Sequence, residues 1–151
     1  MPQSLSRVVV HLIFSTKHRQ PWLKDASVRD ELYRYTATTL NTLDCTPIKI
    51  NGVEDHIHLL FGLSRNHAIK RVVGEVKSDS SKWLKTNGDE YQNFYWQAGY
   101  GIFSVSESKV AEVKRYIEDQ PQHHQKMSFQ DEFRRICERH GIAIDERYVW
   151  D

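Results

Sequence analysis

The sequence predicts an α+β fold of the ferredoxin-like (split βαβ) kind. An antiparallel sheet is expected, with one helix added after the last strand and another at the C-terminus. Three observations carry this. The segments follow one another as strand, helix, strand, strand, helix, strand, which is the order of that fold. The first segment, Ser6 to Thr16, is apolar at nearly every position, as a central strand covered on both faces should be. The dipeptide Asn51-Gly52 is a strong turn signal between two short strands, so these should form a hairpin.

Taken in order, the first strand is rich in β-branched residues, which favour a pleated surface. The basic loop Lys17-His18-Arg19-Gln20-Pro21-Trp22 follows, and Pro21 prevents the strand from continuing. Asp25 to Leu43 reads as a helix, with Val28, Leu32 and Tyr35 at helical spacing and Asp25 or Ser27 as its cap. Thr46 to Gly52 and Val53 to Leu63 are the two hairpin strands. Asn66 is the expected cap of a helix from His67 to Lys85, whose buried stripe is Ile69, Val72, Val73, Val76 and Leu84. Asn87-Gly88-Asp89 ends it. A glycine-punctuated aromatic stretch leads into a last strand, Tyr100 to Val105. Ser106 is placed to cap the added helix, which runs from Glu107 to Gln120 and meets Pro121. Phe129 onward reads as a final helix burying Phe133, Ile136 and Cys137. No repeat or linker divides the chain, so residues 1–151 are expected to be a single domain.

Composition narrows the class. The chain has 151 residues, 39% hydrophobic and 27% charged, which is ordinary for a globular domain with a real core. No apolar run nears the ~20 residues needed to span a bilayer, so no membrane association is expected. The start lacks the pattern of a signal peptide, and the only cysteines, Cys45 and Cys137, are far apart. Both features fit a reducing, cytoplasmic setting. Net charge is +1, which alone argues for no polyanionic partner. Its distribution is uneven: residues 1–24 hold Arg7, Lys17, Arg19 and Lys24 and no acid, and Lys70, Arg71, Lys77 and Lys82 crowd the second helix. A basic face on a near-neutral protein is the result to look for, against a plain solvated surface.

Chemistry concentrates in Asp55-His56-Ile57-His58-Leu59-Leu60-Phe61. Side chains alternate along a strand, so His56, His58 and Leu60 share one face and Ile57, Leu59 and Phe61 the other. Two imidazoles on one face can hold one cation between them. His-x-His is short and common by chance, and two structural histidines are the competing explanation. If two helices cover the Ile57/Leu59/Phe61 face, the His face is left for the added helix. On that helix Val110, Val113 and Ile117 make the apolar stripe, with Tyr116 at its edge and Gln120 four residues on. By periodicity alone Tyr116 reads equally as a half-buried core tyrosine.

The ordered set of motifs says more. His56-Ile57-His58, followed by Tyr116-x-x-x-Gln120, resembles the His-hydrophobe-His (HUH) motif and tyrosine helix of the single-tyrosine HUH transposases of insertion sequences, and of their REP-associated relatives. The resemblance spans nearly the whole chain. It includes Val10 to Lys17, Gly52 to Leu60, Trp96 to Tyr100, Ser104 to Ser106, Arg139-His140-Gly141-Ile142 and Tyr148-Val149-Trp150. It implies a DNA strand-transferase acting on hairpin-bearing single-stranded DNA. Tyr116 would be the nucleophile, leaving a 5′-phosphotyrosine link and a free 3′-hydroxyl. His56, His58 and Gln120 would be the ligands of Mg²⁺ or Mn²⁺, and two imidazoles suit Mn²⁺ better. The added helix is thus the catalytic helix of the family, and a homodimer is implied.

Beside the resemblance, Lys17, Arg19, Lys70, Arg71, Lys77 and Lys82 are candidates to follow the phosphate backbone. Trp22, Trp83, Tyr95 and Trp96 are candidates to stack on bases, with core packing favoured for Trp83 and Trp96. Two other functions stay open at this point. One is a non-catalytic hairpin-binding module using an RNA-recognition-like sheet. The other is a metal-dependent hydrolase with a water nucleophile. In the second, His11, His123 and His124 could be added ligands, although the first reads as a core residue and the pair as part of a polar loop.

Overall fold

The structure is a computed structural model that describes residues 2–151. Four strands form one antiparallel sheet: β1 (Val9–Ser15), β2 (Thr46–Gly52), β3 (His56–Gly62) and β4 (Gly101–Val105). Their order is β2-β3-β1-β4, so β1 and β3 lie in the middle as the sequence predicts. Helices α1 (Ala26–Thr42) and α2 (Ile69–Lys85) cover one face. The other face meets α3 (Val110–Glu118), α4 (Gln120–His123) and α5 (Phe129–Arg139).

Alternation along β1 and β3 divides the core in two. Val10, Leu12, Phe14, Ile57, Leu59 and Phe61 point to the α1/α2 side, where they pack with Leu32, Leu40, Val72, Val73 and Val76. On the opposite face Val9 and Leu60 meet Ile117 of α3, and Ile13 and Phe103 meet Phe129, Phe133 and Ile136 of α5. The histidines of β3 sit between these two smaller clusters. Asp25 caps α1 as expected, accepting hydrogen bonds from the Ser27 and Val28 amides at 2.9 and 3.3 Å.

Several local expectations are corrected. Asn51-Gly52 is not the turn of the hairpin; both residues lie in β2, and Val53 to Asp55 make the turn. The glycine is needed for another reason: a Cβ on Gly52 would lie 2.3 Å from the His56 carbonyl oxygen. Asn66 does not cap α2. That helix begins at Ile69 with Ala68 ahead of it, so Ile69 is left 38% exposed at the first turn. Ser80 instead joins the buried stripe, its hydroxyl donating to the Val76 carbonyl and accepting from Trp96 Nε1 at 2.9 Å. Tyr35, expected on the buried stripe of α1, lies at its rim and stacks on Trp83. Ser106 opens a 3₁₀ turn, Glu107–Lys109, before α3 begins, and makes no side-chain cap. Among the described residues no helix is long and apolar enough to cross a membrane.

Candidate active site

The two histidines of β3 are fully buried and face α3 and α5. Register fixes their spacing: His58 lies opposite Ile13 of β1 and Asn51 of β2, and His56 opposite Ser15. Asn51 does a second job. Its Nδ2 donates to the Ile117 and Glu118 carbonyls at 3.0 and 3.2 Å, satisfying the open end of α3 and holding that helix over the histidine face.

Three elements converge on one carboxylate. Glu132 of α5 is 2% exposed. Its Oε1 lies 2.9 Å from His58 Nε2, 3.1 Å from His124 Nε2 and 3.5 Å from His56 Nε2. Its Oε2 accepts from Gln120 Nε2 at 3.0 Å and from the Tyr116 hydroxyl. Gln120 also brings Oε1 to 3.2 Å from His56 Nε2. The sequence places Gln120 at the end of the tyrosine helix. In the structure α3 stops at Glu118, and Gln120 opens α4 with Pro121 in its first turn, which turns the amide inward.

Outer contacts orient both rings. His56 Nδ1 lies 2.7 Å from Asp55 Oδ1, which directs Nε2 into the cluster. His58 Nδ1 lies 2.8 Å from His11 Nε2, so the tautomer of one ring sets that of the other.

Electrostatics follow from burial and pairing. Burial opposes a charge on His56, but the hydrogen bonds to Asp55 and Glu132 prevail and raise its pKa to about 9. Burial and the neighbouring imidazoles lower the pKa of His58 and, more strongly, of His11. Burial disfavours charge on Glu132 too, yet His58, His124 and His56 together hold it ionised, far below the usual carboxylate range. Burial and the Glu132 charge raise the Tyr116 pKa, so the phenol keeps its proton.

The donor set fits a divalent cation. One ligand atom from each of His56, His58, His124 and Glu132 lies within 4.8 Å of the other three. The three separations from Glu132 Oε1, 2.9, 3.1 and 3.5 Å, lie near the ~3.3 Å edge of a tetrahedron of donors around a Zn-sized ion, while the set as a whole is closed only to within 4.8 Å. Glu132 is the member that sequence reasoning missed, and His124 is one it raises only as an added ligand of the hydrolase reading and sets aside. His124, read as part of a polar loop, closes α4 and has 9% of its side chain exposed.

The basic residues divide. Lys17 is exposed beside β1. Arg19 lines a cavity of about 490 Å³ together with Asp55, His124 and Phe129, at the edge of the cluster. Both His18 and Arg19 take left-handed φ values, 57° and 56°, to turn the loop there. Lys70, Arg71 and Lys82 are exposed on α2, across the sheet from the cluster. Lys77 is corrected as a free cation: its Nζ donates to the Gln97, Ala98 and Gly99 carbonyls at 2.8, 3.2 and 2.7 Å, and burial lowers its pKa to about 8. Of the aromatic candidates, Trp96 is buried, Trp22 packs edge-on to Phe94, and Tyr95 is 58% exposed beside Lys85.

The family model described as "Transposase IS200 like" matches residues 4–120. The chain belongs to the IS200-like transposase family. No curated protein matches it. Among solved structures it resembles a Deinococcus radiodurans R1 protein described as a transposase. The two are 25% identical with a TM-score of 0.62, over 80% of this chain and 95% of that one. It also shares the fold of the REP-associated tyrosine transposase solved bound to a REP hairpin. There the identity is 12% and the TM-score 0.60, over 82% of this chain and 73% of that one. The IS200-like match includes His56, His58, Tyr116 and Gln120 and ends before His124 and Glu132.

Proposed function

We propose that this IS200-like transposase binds hairpin-bearing single-stranded DNA and cleaves and rejoins it through a 5′-phosphotyrosine link on Tyr116. The observation that carries the reading is that the Tyr116 hydroxyl and the His56/His58 pair meet on one carboxylate, Glu132, within a single chain. A tyrosine kept only for packing has no need of that position. The hairpin substrate is taken over from the REP-associated relative, whose fold this chain shares.

In this mechanism Tyr116 Oη attacks the phosphorus, the Oη–P bond forms and the bond from phosphorus to the 3′ oxygen breaks. The phenol loses one proton and the released 3′-hydroxyl gains one, so no net acid or base is consumed. Before attack the hydroxyl stays neutral and aimed by its hydrogen bond to Glu132. Mg²⁺ or Mn²⁺ held by His56, His58 and Gln120 would polarise the phosphate and offset charge developing on its oxygens. A cavity of about 270 Å³ beside Tyr116, lined also by Arg135 and Arg139, offers positive charge to a phosphate at the point of attack. Lys17 and Arg19 would guide the flanking strand, and the reading includes a homodimer.

A denaturing gel tests it. Labelled single-stranded hairpins from the flanks of the gene are mixed with protein and Mn²⁺ or EDTA. A Mn²⁺-dependent covalent protein–DNA band, absent in Tyr116→Phe, is expected. Cleavage without the band would assign a water nucleophile, and binding alone would leave a hairpin-binding module.

A further inference from the structure

We infer that Glu132 and His124 belong to the cation site, so that the ion is held by three imidazoles and a carboxylate in place of the His56, His58 and Gln120 set, Gln120 binding the carboxylate instead, and the same carboxylate positions the nucleophile. This deepens the strand-transfer reading and rests on it.

Glu132 is an unusual residue in its setting. Its helix buries Phe129, Phe133, Ile136 and Cys137, and the carboxylate emerges from that apolar stripe. An ionised carboxylate there is costly unless paired. Its only charged or ionisable hydrogen-bonding neighbours among the described residues are His56, His58, His124 and the Tyr116 phenol. Two of these imidazoles are fixed by outer contacts that leave Nε2 facing inward, to Asp55 in one case and His11 in the other. That is how ligand imidazoles are commonly oriented. His124 aims Nε2 at the same oxygen, with its ring packed 4.3 Å from that of His56.

The two oxygens of Glu132 divide their work. Oε1 collects the three ring nitrogens, whereas Oε2 collects the Tyr116 hydroxyl and the Gln120 amide. A cation among the rings would therefore be bridged to the phenol by one rigid group. Both residues come from the segment after position 120, outside the family match. The set of three nitrogens and one oxygen suits Mn²⁺, Co²⁺ or Zn²⁺ and is poor for Mg²⁺, which prefers oxygen.

The test measures metal binding directly. Free Mn²⁺ is followed by electron paramagnetic resonance while wild-type protein, Glu132→Gln, His124→Asn and Tyr116→Phe are titrated in turn, with Mg²⁺ added as competitor. Circular dichroism in EDTA confirms that each variant is folded, and Glu132→Asp, which restores a carboxylate, stands in if Glu132→Gln is not. Glu132→Gln and His124→Asn should each weaken Mn²⁺ at least ~10-fold, Glu132→Asp should recover part of the loss, and Tyr116→Phe should stay within ~3-fold of wild type. A 100-fold excess of Mg²⁺ should not displace the ion. Variants at 124 and 132 that bind Mn²⁺ like wild type would overturn the inference, as would ready displacement by Mg²⁺. The covalent-adduct gel is run on the same samples. Wild type that binds Mn²⁺ through these residues yet forms no adduct supports the four-donor site and sinks strand transfer. An adduct with Mn²⁺ binding indifferent to both substitutions sinks the four-donor site alone.

Discussion

Glu132 Oε1 and His58 Nε2 meet at 2.9 Å across 74 residues of sequence, joining the C-terminal helix to a central strand. The contact places a charge from α5 on the histidine face. It also makes the position of Tyr116 depend on the same side chain, since the other oxygen of Glu132 takes its hydroxyl.

Tyr116→Phe removes that hydroxyl and keeps the ring packed against His123. Glu132 Oε2 retains the Gln120 amide, so it is not stranded. Loss of one hydrogen bond to a charged group should cost about 2 kcal/mol, visible in urea melts of metal-free protein. Adduct formation should vanish altogether. A variant that still forms adduct would move the nucleophile elsewhere.

Gly52→Ala tests the hairpin. The new methyl would sit 2.3 Å from the His56 carbonyl oxygen, on backbone that cannot swing aside as a side chain does. The strand must shift, at about 1–3 kcal/mol, and His56 moves with it. The expected result is a lowered melting temperature together with weaker Mn²⁺ binding. A fully stable variant with unchanged metal affinity would mean that the close approach is not enforced.

Sequence alone located the sheet order and the two faces of β3, because alternation and the apolar stripes of α1 and α2 are strong local signals. It also brought His56, His58, Tyr116 and Gln120 together, on spacing plus resemblance. His124 was raised as a ligand and set aside, and Glu132 was not raised at all, for different reasons. His124 lies in a polar run with no period, and only the turn made by α4 carries it inward. Glu132 did leave a trace: it stands on the same stripe as Phe129, Phe133 and Ile136, a carboxylate at a core position of an amphipathic helix. Asn51-Gly52 misled because a glycine required by close approach looks the same in sequence as one required by a turn.

Stability of the metal-free protein should peak near pH 6.5. His56 binds its proton more tightly when folded, with a pKa near 9 against 6.5 for an ordinary imidazole. Its contribution is complete below pH 6.5 and is lost as pH rises through about 9. His11 and His58 run the other way. Their folded pKa values are lowered, so below pH 6.5 the unfolded chain takes up protons that the native rings refuse, and stability falls. A series of thermal melts in EDTA checks both arms. Saturating Mn²⁺ should flatten the alkaline arm, because a ligand imidazole must already have given up its proton. Melting temperatures that climb from pH 6.5 to 8 in EDTA, below the range in which Lys77 with its lowered pKa adds stability as pH rises, would show that His56 is not held charged.

Lys77 and Lys17 separate structural from DNA-facing cations. Lys77 ties down three consecutive carbonyls, at Gln97, Ala98 and Gly99, and lies 5.1 Å from the Phe14 ring centroid. Lys77→Met keeps the stem and leaves those carbonyls without their donor, which should cost about 2 kcal/mol or more. If Lys77 touches no phosphate, the salt dependence of hairpin binding measured below the melting temperature should be unchanged. Lys17→Ala should do the reverse: stability within about 0.5 kcal/mol, and a salt slope shallower by about 0.7, because one phosphate of the single strand is no longer neutralised. Equal slopes for wild type and Lys17→Ala would remove Lys17 from the DNA path. A shallower slope for Lys77→Met would mean that its charge reaches the nucleic acid despite the three carbonyls around it.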